Sequence, residues 1–144
     1  MAFSDSKAKF WQIDLTSRSG AESATKQAEL AGFGMTVMAI LGMFLLGGLA
    51  GFNTVEGKAV MAGAVLEALV GLVAGFRFRA GKGAFWGIVA LVLMALEFVT
   101  KLAAVSLVGI VITGILCVFL FNGIRGAFAL KRGKFDDDIA DVFR

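Results

Sequence analysis

The ionisable residue set deepest in apolar sequence is Glu67, which has only Ala, Val, Leu and Gly for a full helical turn on either side. A carboxyl in hydrocarbon costs several kcal/mol, or roughly 2.5–3.5 kcal/mol on insertion scales for Asp, Lys and Arg, so one kept there has a partner or a task. Two roles fit the chemistry. One is a proton- or cation-binding carboxylate in a transport path; the other is a carboxyl, protonated or paired, that links helices by hydrogen bonds. A single such residue favours the link. Gly63, Glu67, Gly71 and Gly75 recur every four residues. That spacing predicts one helix face on which glycine admits a close partner and the carboxyl meets that partner.

Further along, Glu97 and Lys101 stand one helical turn apart, in the Glu-before-Lys order that favours an ion pair. Mutual neutralisation is the expected outcome, because both side chains can reach an interface by snorkelling. Ser106, Thr113 and Cys117 follow on roughly one helical stripe, with Gly109 and Gly114 beside it. Their hydroxyls can bond to Glu67 or fold back on their own helix carbonyls, the commoner arrangement. Glu67, Glu97, Lys101, Ser106 and Thr113 are therefore the candidates for an intramembrane polar network. Gly47 and Gly51 make a GxxxG step and join Gly63, Gly71 and Gly75 as candidate helix-packing positions.

Other chemistries lack their residues. With no histidine and no tyrosine, the chain offers no imidazole for a metal, a haem or a proton relay. Cys117 is the only cysteine and lies in an apolar run, where it reads as a small packing residue. Gly81-Lys82-Gly83 is too short for a phosphate-binding loop, which needs four residues between its glycines. The aspartates at 136–138 lack the loop glycine and terminal glutamate of a calcium site. The reading accordingly predicts no catalytic residue, no cofactor, no metal and no nucleic-acid partner.

The elements that must position these residues follow from composition. Of the 144 residues, 58% are hydrophobic, 19 are glycine and none is proline. The mean hydropathy is +0.85, beyond what a soluble core requires. A bilayer core of ~30 Å needs about 20 apolar residues in a helix. Four stretches approach that length: 30–52, 59–76, 84–101 and 104–126. The apolar run from 84 to 124 is twice one span and must fold back, and its only polar cluster, Glu97, Thr100 and Lys101, puts the turn at about 101–104.

Charge orients the map. Lys7, Lys9, Arg18 and Lys26 precede the first span; Arg77, Arg79 and Lys82 follow the second; Arg125, Lys131, Arg132, Lys134 and Arg144 follow the fourth. Only Lys58 and Lys101 fall on the opposite side. This imbalance predicts both termini inside. The expected fold is an all-α integral membrane protein, a four-transmembrane-helix bundle, N-in/C-in, with short amphipathic terminal segments. Residues 1–29 form a cytoplasmic arm with an interfacial stretch at 9–15, and the first span is expected to be a retained anchor. Good helix formers from Ala21 onward predict that its helix begins in water and runs into the bilayer without a break. Residues 30–130 form the membrane domain, and 131–144 an acidic tail. Within that tail Phe135, Ile139, Val142 and Phe143 form the apolar stripe of a short partner-docking helix.

Function follows as an expectation. A non-catalytic small membrane subunit, packed in or beside a larger assembly or self-associated, accounts best for the scarcity of polar groups in the spans. Its partners would be the lipid bilayer and other membrane subunits or further copies of itself, in a bacterial-type inner membrane. The alternative is a small oligomeric proton- or cation-coupled channel or transporter working through Glu67.

Overall fold

A computed structural model describes residues 13, 15–103, 105–133 and 135 of the chain. They form four helices, α1 (Arg18–Ala50), α2 (Val55–Arg79), α3 (Ala84–Ala103) and α4 (Leu107–Arg132). All four are long and apolar enough to cross a membrane. Each is longer than the apolar stretch that marks it in the sequence, α1 by twelve residues at its start, although α1 stops at Ala50 short of the expected 52 and α4 begins at Leu107 and not at 104. Hydropathy stops at the first polar residues, whereas the backbone ladder needs only good helix formers and no proline.

Local chemistry sets the ends. Ser17 Oγ accepts from the Gly20 N–H at 3.1 Å and starts α1. Thr54 Oγ1 accepts from the Gly57 N–H at 3.0 Å and donates back to the Gly51 carbonyl at 2.7 Å, fastening the turn between α1 and α2. Gly51 closes α1 with φ 82°, a conformation that a residue with a Cβ rarely takes. It therefore ends a helix and does not extend the Gly47 packing step. Gly133 ends α4 in the left-handed region, its N–H bonded to the Ala129 carbonyl.

Short connections make sequential helices antiparallel neighbours. α1 packs most extensively on α2 and α4, α3 packs on α4 and more lightly on α2, and α1 and α3 lie across the diagonal. Small residues allow the tightest contacts. A Cβ on Gly32 would stand 2.7 Å from the Gly75 nitrogen and 2.8 Å from the Gly71 oxygen, so the α1 and α2 backbones touch there. Thr36 Oγ1 adds a bond across this contact, donating to the Ala68 carbonyl at 3.1 Å. Against α4, α1 lays down Ala21, Ala24, Ala28 and Ala31, each at most 1% exposed. A Cβ on Gly126 would stand 2.7 Å from that of Ala24.

The core is confined to the end of the bundle that carries both described termini. Met35, Ala74, Phe78, Ala90, Met94, Leu120 and Ala127 are buried there. Towards the end that carries the α1–α2 and α3–α4 turns, the walls are bare. Phe44, Leu45, Leu49, Val65, Leu102 and Val108 are all exposed, and Gly42 and Gly63 have no described residue within 4 Å of where a Cβ would stand.

Candidate functional site

The polar side chains of the helices converge where the packed core ends. Glu67 is the middle residue of α2, Glu97 and Lys101 lie in the last two turns of α3, and Thr113 faces inward from α4 at 1% exposure. The α2–α3 and α3–α4 connections are both short, so positions equally far from each connection come level. That rule brings Glu67 to Glu97 and Glu97 to Thr113.

Lys101 is the hub. Its Nζ pairs with Glu97 Oε1 on the same helix and donates to Thr113 Oγ1 on α4 at 2.9 Å. Both charged side chains are largely withdrawn from the surface, at 22% and 27% exposure. Glu97 Oε2 is buried and meets no N–H or hydroxyl among the described residues. Glu67 on α2 faces Glu97 across the α2–α3 contact, close enough for the two carboxyls to act on one another. Two carboxyls can hydrogen-bond to one another only when one of them carries a proton. The ion pair and the Thr113 hydroxyl tie α3 to α4, and Glu67 brings α2 to the same cluster.

Ser106 lies at the edge of this cluster. It occupies the N-cap position of α4 without making a side-chain cap bond. A Cβ on Gly109 would stand 2.9 Å from both Ser106 Oγ and Lys101 Cδ, so the two side chains flank that glycine. Thr100 bonds back to the Glu97 carbonyl at 2.7 Å and takes no part. Cys117 is a half-buried free thiol one turn along α4 from Thr113.

The four-residue repeat on α2 does not address one partner. Gly71 and Gly75 pack on α1, Gly63 faces open space, and Glu67 turns to α3. Each step of four residues overshoots a full turn by ~40°, so three steps rotate the face by ~120°. Gly47 packs within its own hairpin, against the Phe52 ring and Met61. Of the tail residues, Phe135 is buried at 4%, whereas Ile139, Val142 and Phe143 lie outside the described residues, as does most of the 9–15 segment.

Two buried amides escape a reading based on charge. Asn122 is 6% exposed and its Nδ2 meets no partner among the described residues; the Gln27 Oε1 atom is likewise buried and unpaired. They precede Ala28 and Gly123, which touch across the α1–α4 contact. The signal available was the pair of polar amides within otherwise small or apolar faces. The alanine ridge of α1 was legible too, as a three-four spacing from Ala21 to Ala31.

Among the described residues no three His, Cys, Asp or Glu side chains gather as a metal set. No protein-family model matches the chain, and neither the curated proteins nor the solved structures yield a match.

Proposed function

We propose that the chain is a non-catalytic integral membrane subunit, N-in/C-in, that packs within or beside a larger membrane assembly or associates with further copies of itself. The observation that carries this reading is the division of the bundle at the polar cluster. On one side the helices are closed by their own core; on the other, long apolar walls are exposed and the open glycines Gly42 and Gly63 meet nothing among the described residues. Open glycines on an apolar helix are contact points for another helix in lipid. The polar cluster also consumes its own members, with Lys101 committed to Glu97 and Thr113. Towards the terminal end the interior is plugged by Met35, Met94, Leu120 and Phe78, each at most 1% exposed.

The test is extraction in a mild detergent from native membranes, followed by the mass and composition of the particle that contains this chain. Reproducible foreign subunits or a defined homo-oligomer are expected. A monomer with only lipid around it overturns the reading.

One observation favours a second reading, a proton-coupled channel or transporter. Two carboxyls, Glu67 and Glu97, face one another beside Lys101, inside a bundle that opens towards its turn end. For that reading Glu67→Gln must abolish flux in vesicles while leaving the particle intact. Unchanged flux in an intact particle assigns Glu67 to helix linkage.

A further inference from the structure

Apart from the polar cluster, the described residues at the terminal end of the bundle line three clefts of differing electrostatic character, one of them with Leu15, Arg125 and Arg132. Between α1 and α2 the cleft lined by Arg18, Glu22, Lys26, Glu29 and Arg79 mixes both signs, and Arg79 lies 4.0 Å from Glu29. The groove between the start of α3 and the end of α4 is different. Lys82 and Lys131 line it with Phe85, Ile88, Phe128 and Leu130, and among the described residues no acidic side chain contributes. Neither ammonium makes an ion pair among the described residues.

We infer that this groove is a binding site for an anionic phospholipid, its phosphate held between Lys82 and Lys131 and an acyl chain laid along α3. Charge complementarity names the headgroup, and the shape of the apolar surface names the rest. Phe85, Ile88, Val92, Leu96 and Val99 are each at least 45% exposed. Their three-four spacing makes one stripe that runs from the lysines along most of the helix. A cationic end joined to a long apolar lane matches a lipid with one phosphate and extended chains.

Gly83 precedes α3 and offers no capping side chain, so the first N–H groups of that helix add their positive end to the same corner. Basic grooves between helices at a membrane interface are a known mode of anionic-lipid capture. The inference rests on the membrane reading above.

The experiment uses Trp86, whose ring stands 5.7 Å from that of Phe85. The full chain carrying Trp11→Phe is placed in phosphatidylcholine vesicles containing equal small fractions of brominated phosphatidylglycerol or brominated phosphatidylcholine, and quenching of Trp86 is compared. Preferential quenching by the anionic lipid is expected, corresponding to about fivefold enrichment per lysine. That preference should fall towards unity in Lys82→Ala/Lys131→Ala, while quenching by brominated phosphatidylcholine is unchanged. Equal quenching by the two lipids in the parent chain overturns the site and leaves insertion standing. No quenching by either overturns insertion itself. A preference that emerges only after removal of residues 136–144 assigns the groove to the chain's own acidic tail, and overturns the lipid.

Discussion

Lys101 on α3 donates to the Thr113 hydroxyl on α4 at 2.9 Å while its charge is held by Glu97 on its own helix. The lysine thus spans the third and fourth helices just before the turn that joins them. It fixes their rotation as well as their distance, because the Thr113 side chain is fully enclosed.

Replacing that hydroxyl with a methyl separates the bond from the packing. Thr113→Val keeps the shape and removes the acceptor, and the expected loss is about 1 kcal/mol, the scale of interhelical hydrogen bonds in membrane proteins. Lys101→Met is expected to cost about 3 kcal/mol or more, since it leaves Glu97 without its counter-charge. Unfolding by sodium dodecyl sulfate titrated into mixed micelles measures both. Equal effects would mean that the ion pair contributes nothing beyond the hydroxyl.

Glu67 should tolerate an amide better than a hydrocarbon. In Glu67→Gln the side-chain NH₂ can still donate to the buried Oε2 of Glu97, so stability should stay within about 1 kcal/mol of the parent. Glu67→Leu leaves that oxygen with no donor and is expected to cost about 1–3 kcal/mol. The same unfolding assay ranks the two, and a leucine variant as stable as the glutamine one removes Glu67 from the helix linkage.

The glycines divide by what a Cβ would meet. Gly71→Ala would place a methyl 2.8 Å from the Gly32 oxygen and from Thr36 Oγ1, and is expected to destabilise the bundle by about 1–3 kcal/mol. At Gly63, where the space is open, the same change should be neutral, or stabilising by up to about 1 kcal/mol within one chain. If Gly63→Ala instead disperses the extracted particle without affecting the monomer fold, Gly63 is a contact between subunits.

Sidedness can be read by thiol labelling in a Cys117→Ser background. Asn53→Cys and Lys58→Cys should react with an impermeant maleimide added outside, and Lys82→Cys only after the membrane is opened. The reverse pattern would invert the bundle.

Much of the architecture was legible before any coordinates. Four apolar stretches gave four helices because intrahelical bonds are local, and the turn after α3 was marked by the polar residues Glu97, Thr100 and Lys101. Ends were less legible. α1 extends well before its apolar stretch, since Ser17 caps the helix and nothing between it and Leu30 breaks the ladder.

The grouping of the candidate site divides in the same way. The Glu97–Lys101 pair is a same-helix contact, visible in a spacing of four. That Glu67 meets Glu97 and not the partner of Gly71 and Gly75 depends on the rotation of α2 between two neighbours, which no local spacing encodes. The mismatch of ~40° per step between a four-residue repeat and the helical turn carried the carboxyl from the neighbour of Gly71 and Gly75 towards the next.

The sequence by itself therefore determined the helices, their number and their antiparallel succession, because these rest on hydropathy, backbone bonds and short connections. Only the tertiary structure decided that Glu67, Glu97, Lys101 and Thr113 share one level at the edge of the core, and that the lysines at 82 and 131 flank one groove. Those juxtapositions come from helix rotation and register, which are set by the close contacts of Gly32 with Gly71 and Gly75 and of the α1 alanines with Gly126. Such contacts are long-range in the chain, and their outcome follows from the packing of all four helices together.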